Sequence, residues 1–262
     1  MKILTLGEKT NPAILALNGT LCSGAGLKPL WQRLAGEYYI ILPTYDGCDG
    51  SGSVYQSETE QAKKVLAWLK KSGITSLEMG HGTSMGAEVL MAFAVLAEKE
   101  RYPVKHYVFD GGPFFHFPMP MQFVMEKKFT GFADKVRGKD DAESVEKLLA
   151  NPLIQKLIGT DTAPYHAMGA DMLHVCQTAD RVSIKNMVRT CYAFDFPKMP
   201  QKVQKKFYFL WSEKEPARMS EEKMRKAYPD ASFCVVPGYM HCGYQTCTPD
   251  AYMEDMKGIL QG

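Results

Sequence analysis

Charge of one sign, paired cysteines and long apolar runs are all missing from this chain of 262 residues. Lys and Arg total 31 against 29 Asp and Glu, a net charge of +2. That balance gives no electrostatic reason to expect nucleic acid or an anionic membrane as partner. No apolar run approaches the roughly 18 residues that a membrane span needs. The opening MKILTLGEKTNP lacks the apolar stretch and small-residue cleavage site of a secretion signal, so a cytoplasmic protein is expected. The seven cysteines, at 22, 48, 176, 191, 234, 242 and 247, are odd in number and show no CxxC spacing. A disulfide framework and a zinc site are both disfavoured, and reduced thiols are expected. No internal repeat or low-complexity tract is present.

What is present is a globular composition, 45% apolar and 23% charged, long enough to bury a sizeable core. Short apolar runs read as strands at 2–6, 13–17, 38–43, 76–79, 104–110, 205–211 and 232–236. The later ones have few alternating polar positions, as strands buried on both faces do. Between them lie helix signals. Ser57-x-x-Glu60 is a capping box before the stripe Ala62, Val65, Leu66 and Leu69. Ser220 reads as a cap before two glutamates, and Thr248-Pro249 as a cap with a proline at the first helical position. The segment Ala87–Leu96 is apolar almost all round and predicts a buried helix. Strands alternating with helices predict a mostly parallel α/β sheet with helices on both faces. The alternation stops over 114–200, which opens on GGPFFHFPMPMQF, carries helical patterns and lacks a convincing strand. It is expected to be a helical lid inserted into a core formed by 1–113 and 201–262. The 16 methionines, many of them mid-chain, suit an adaptable apolar surface or core filling.

The chemistry concentrates at GHGTSMGAEV. Ser84 lies between a strand and a buried helix, flanked by Gly82 and Gly86. A serine on such a sharp turn projects its hydroxyl above the sheet edge, and the small neighbours permit the turn. The N–H of Met85, at the helix start, is placed to receive an oxyanion. A serine nucleophile needs a base, and the base needs an orienting carboxylate. Of six histidines, His241 is best placed, in the loop between the last strand and the last helix. His81 reads as a packed strand-end residue and His106 as structural; His116, His166 and His174 fall in the lid. For the acid, Glu215 and Glu213 follow one strand and Asp110 ends another; Glu215 is preferred and Asp110 is its rival. A second oxyanion donor is expected from Thr20 or Leu21, with Gly19 allowing close approach. Cys22 and Cys242 flank the site in sequence and read as packing residues.

Together these residues resemble the α/β-hydrolase fold superfamily. Ser84, Glu215 and His241 follow its Ser–acid–His chain order. NGT at 18–20 is similar to its His-Gly oxyanion loop, with Asn18 where histidine is usual. PTYDGCDGSG, GTSMGA, LWSEKEPA and PGYMHCGY resemble its later loops. The acid is Glu rather than the commoner Asp, and Thr83 precedes the nucleophile where histidine is frequent. The resemblance implies a serine hydrolase that cleaves an ester-like bond of a small or medium, apolar acyl substrate through an acyl-enzyme. It requires no metal or organic cofactor. The serine argues against the branches that use an aspartate nucleophile. The alternative is a non-catalytic binding protein on the same fold. Lid diversity leaves esterase, lactonase, thioesterase, carbon–carbon bond hydrolase and aminopeptidase open.

Overall fold

The computed structural model describes residues 1–139 and 141–262. Seven strands form one sheet: β1 (Lys2–Leu6), β2 (Ala13–Leu17), β3 (Tyr39–Thr44), β4 (Leu77–Thr83), β5 (Val104–Asp110), β6 (Phe207–Ser212) and β7 (Ser232–Val236). Their order is β1-β3-β2-β4-β5-β6-β7. β1 pairs antiparallel with β3, and every other pairing is parallel. β2 is buried along its whole length. Ala13, Leu15 and Leu17 face one core, and Ile14 and Ala16 face the other. A strand covered on both sides needs no polar alternation, which explains AILAL.

The short α1 (Lys28–Trp31) packs with the second core, whereas α2 (Glu58–Lys71) and α3 (Met85–Glu100) pack with the first. The long connection from β5 to β6 carries α4 (Met119–Val136), α5 (Ala142–Leu149), α6 (Pro152–Ile158), α7 (His166–Thr178) and α8 (Arg181–Tyr192) before a last short helix. The ends of this segment meet in a single antiparallel bridge between His116 and Ala193. α9 (Gln201–Gln204) precedes β6, α10 (Glu221–Ala227) precedes β7, and α11 (Gly243–Cys247) and α12 (Pro249–Gln261) close the chain. α12 lays Tyr252, Met253, Met256 and Leu260 against the second core. Among the described residues, no helix is long and apolar enough to cross a membrane.

Half of the expected capping box forms: the Glu60 N–H donates to Ser57 Oγ at 3.2 Å, while the Glu60 carboxylate pairs with Lys63 at 2.6 Å rather than turning back to the Ser57 N–H. Two other expected caps do not form. Ser220 ends a 3-10 turn, Pro216–Ser220, and is already helical at φ −83° and ψ −13°. Its hydroxyl turns back to the Ala217 carbonyl instead. Thr248 spends its hydroxyl on Tyr239 and the Tyr244 carbonyl, because α11 ends directly against α12. β4 runs four residues beyond the expected 76–79. Its Gly80-His81-Gly82-Thr83 end has little intrinsic strand preference, but β2 and β5 supply pairing partners on both sides.

Strands β5, β6 and β7 are locked in register by aromatic pairs. Phe109 lies opposite Phe209, and Phe209 opposite Phe233. Their rings stack at centroid distances of 4.7 and 5.2 Å. Such pairs stabilise a sheet beyond their buried area. Phe209 is 1% exposed. Its replacement by alanine is expected to lower stability by about 3–5 kcal/mol. A urea titration reads this as a lower midpoint at unchanged slope.

Candidate active site

Ser84 sits between β4 and α3 with φ 54° and ψ −126°. A non-glycine residue rarely adopts this conformation, and it costs about 1–3 kcal/mol. The turn closes because its flanks have no Cβ. A methyl on Gly82 would lie 2.3 Å from the Gly86 carbonyl oxygen, and one on Gly86 would lie 2.4 Å from that of Leu17. The Ser84 N–H donates to the Asp110 carbonyl at 2.8 Å, tying the turn to β5. Ser84 makes no side-chain cap bond to α3, so its hydroxyl is free to point elsewhere.

It points at His241. Ser84 Oγ lies 2.9 Å from His241 Nε2, and Glu215 Oε2 lies 2.5 Å from His241 Nδ1. In the neutral ring, the carboxylate on Nδ1 holds the single proton there and leaves Nε2 to accept from the serine. Glu215 is itself fixed: its Oε1 accepts the Ser212 N–H at 2.6 Å. The His241 N–H donates to the Leu157 carbonyl at 3.0 Å, so α6 helps hold the histidine loop. Burial opposes the imidazolium, while the Cys242 side chain beside it and the Glu215 carboxylate favour it. The net effect holds the His241 pKa well above its ordinary value.

The other carboxylates go elsewhere. Asp110 Oδ2 accepts from the Tyr252 hydroxyl at 2.7 Å, and that hydroxyl lies 2.6 Å from His81 Nε2. Burial, with the nearby Glu215 charge, pushes the Asp110 carboxyl up to about 7. Burial pushes His81 down to about 3, which keeps it neutral against Trp31 and Tyr252. Glu213 caps the Gly238 N–H at 2.9 Å.

The loop after β2 closes over Ser84. A methyl on Gly19 would stand 3.2 Å from Ser84 Cβ. Buried Asn18 braces the loop through Nδ2, donating to the Cys22 carbonyl at 2.6 Å. Thr20 lines the adjoining cavity, while Leu21, at φ 56°, and Met85 are fully buried beside it. No backbone acceptor takes the N–H of Thr20, Leu21 or Met85 among the described residues.

The cavity has a volume of about 340 Å³ and reaches Ser84 and His241. Phe115, Phe129, Ile154, Leu157, Met168 and Met172 bring an apolar wall from the segment between β5 and β6. Cys22, Cys191 and Cys242 also line it. All seven cysteines are free, and burial pushes Cys22 and Cys191 well above the ordinary thiol value, which makes both poor nucleophiles. One lining group carried no sequence signal. Asp171 of α7 accepts the Ser23 N–H at 2.8 Å and the Ser23 hydroxyl at 2.5 Å, tying α7 to the loop after β2.

No protein-family model matches the chain, and no curated protein matches it. Solved structures do. An alpha/beta hydrolase family protein from Desulfitobacterium hafniense superposes with TM-score 0.74 at 15% identity, covering 99% of this chain and 100% of that one. A thermophilic esterase from Thermogutta terrifontis gives 0.72 at 16%, covering 98% and 93%. The enol-lactonase from Burkholderia xenovorans LB400 gives 0.72 at 12%, covering 100% and 96%. At these identities the likeness is one of fold.

The charge arrangement has a direct spectroscopic consequence. An NMR titration of the His241 imidazole is expected to show a midpoint above the ordinary histidine value of about 6.5. Glu215→Gln removes the carboxylate that favours the imidazolium, so the midpoint should fall. Asp110→Asn should move it less. A larger effect from Asp110→Asn would reverse the two carboxylates' order.

Proposed function

We propose that this chain, which has the α/β-hydrolase fold, is a serine hydrolase acting on an ester-like acyl bond. The observation that carries this reading is the unbroken hydrogen-bond chain from Ser84 Oγ through His241 to Glu215. In the proposed reaction, Ser84 attacks the acyl carbonyl while His241 takes its proton at Nε2. Glu215 orients the ring and stabilises its charged form. The N–H of Met85 and that of Thr20, with Leu21 as the neighbouring alternative, receive the oxyanion. His241 returns its proton to the leaving group, and water then attacks the acyl-enzyme with His241 again as base. Asp110 is left out of this relay, because its carboxyl is engaged by Tyr252.

The substrate proposed is small or medium, neutral and apolar. The cavity volume is at the lower end for small-molecule sites. Arg33 is its single lysine or arginine, and Asp250 already pairs with it at 3.1 Å. Asp171 adds a carboxylate to the wall, which disfavours acidic substrates. We read 114–200 as a lid over a core of 1–113 and 201–262, since its helices furnish most of the apolar wall.

Labelling with a fluorophosphonate probe tests the reading. Wild type should label, whereas Ser84→Ala and His241→Ala should not. Turnover of a neutral short-chain ester should fall at least about 10³-fold in both variants. Glu215→Gln should lose more activity than Asp110→Asn. A folded wild type that neither labels nor turns over esters, yet binds apolar ligands regardless of Ser84→Ala, would leave a binding protein instead. Acidic hemiesters should be poorer substrates than neutral esters of equal length.

A further inference from the structure

Over residues 119–130, α4 is built largely inside out. Its inward positions are polar: Gln122, Glu126 and Thr130 are all buried. Gln122 Nε2 donates to the Phe117 carbonyl at 2.7 Å, Glu126 pairs with Arg189 of α8 at 2.8 Å, and Thr130 bonds the Glu126 carbonyl at 2.8 Å. Its outward positions are apolar: Met119, Met121, Phe123 and Val124 are between 47% and 73% exposed. These four make up most of the large exposed apolar side chains among the described residues. An apolar patch held out on one helix marks an interaction surface.

The charges that α4 itself leaves free have one sign, although the exposed Asp195 stands beside His116 just before the helix. Both acids of α4 are consumed by arginines of α8, Glu126 by Arg189 and Asp134 by Arg181. The charges that α4 leaves in solvent are Lys127, Lys128 and Lys135. Phe123 and Lys127 are one turn apart, and the Lys127 ammonium sits 4.5 Å from the Phe123 ring centroid. Val124 and Lys128 repeat that spacing on the adjacent line of the helix. The result is an apolar tip followed by a cationic collar. The net charge of +2 conceals it, because the compensating acids lie elsewhere.

We propose that the exposed face of α4 docks this protein on a lipid bilayer carrying anionic headgroups. The apolar tip enters the acyl boundary and the lysines meet the headgroups, the arrangement of an interfacial amphipathic helix. Charge decides between this occupant and a second copy of the chain. A two-fold contact through the same face would gather four like-charged lysines, Lys127 and Lys128 of each copy, with both acids of α4 already paired to α8. Further along the same helix, Phe129 lines the cavity, so docking brings the cavity wall next to the lipid. The surface shares no residue with the proposed relay, and its test is independent of the hydrolase reading.

The test is co-sedimentation of the full chain with vesicles of phosphatidylcholine alone or mixed with phosphatidylglycerol. Wild type should sediment with the mixed vesicles at low salt and be released at high salt. Met119→Ser with Phe123→Ser, and separately Lys127→Glu with Lys128→Glu, should each weaken binding about tenfold or more. Thermal melts by circular dichroism, expected to match wild type because all four side chains are exposed, exclude misfolding. Failure of wild type to bind either vesicle, or variants that bind as wild type does, would overturn the proposal. A dimer in light scattering that the Met119→Ser, Phe123→Ser variant abolishes would assign the face to a second copy and overturn it equally.

Discussion

The strained backbone at Ser84 is the constraint on which the surrounding architecture converges. A serine at φ 54° persists only if its neighbours leave it no relaxed alternative. Three elements do so. The β5 carbonyl of Asp110 takes its N–H, the β2 carbonyl of Leu17 presses against Gly86, and ten buried residues of α3 fix the helix that follows. Burial of that helix thus holds a polar side chain in an otherwise unfavourable conformation. The return is a hydroxyl that neither caps α3 nor lies flat on the sheet, but stands at Nε2 of a histidine from 157 positions further along the chain.

Two buried carboxylates stand near this serine, and their partners separate their roles. Glu215 has a cationic partner available in His241 and a backbone N–H from Ser212, so its negative charge is compensated. Asp110 has only the Tyr252 hydroxyl, is fully enclosed, and feels the Glu215 charge as well. Two close carboxylates cannot both be charged cheaply in a buried site. Asp110, with no cation bonded to it, has its carboxyl pushed up to about 7. Tyr252 and His81 continue the polar chain into the second core, where His81 stays neutral. Asp110 thereby braces the end of β5 through its side chain and positions Ser84 through its carbonyl.

Much of this was legible in the sequence, for reasons that differ by residue. The strand runs at 2–6, 13–17, 104–110 and 232–236 have the observed bounds, because strand-prone residues dominate them and no glycine or proline interrupts them. The end of β4 was not legible, since Gly80 and Gly82 become strand only through partners on either side. Ser220 and Thr248 have the right chemistry for caps, but neighbouring turns already occupy their backbones or hydroxyls. At the site, Ser84 announces itself because its requirements are local: two glycines and an apolar helix. The choice between Glu215 and Asp110 is not local, since it turns on where Tyr252 lies. Asp171 had no signal at all. It reads as one acid on a helix, and its partner Ser23 lies 148 positions away. The inverted polarity of α4 was equally hidden, because methionines and phenylalanines in a helix are ordinarily read as core.

The segment between β5 and β6 is tied to two of the loops that carry proposed catalytic groups. Asp171 holds the loop after β2 through Ser23, and the Leu157 carbonyl holds the backbone of His241. At the segment's entry, Phe114 adopts φ 43°, and its N–H donates to Glu88 of α3 at 2.6 Å. Glu88 is fully buried, which pushes its carboxyl well above the ordinary range, and that bond is its one interaction outside its own helix. The roof of the cavity therefore also sets the positions of the groups beneath it. A substitution in α6 or α7 changes the fit of a ligand and the placement of His241 or the Gly19–Thr20 backbone together. In the proposed reaction this couples binding to chemistry, so a variant in this segment that alters affinity alone is one that leaves both the Asp171–Ser23 and the Leu157–His241 bonds intact.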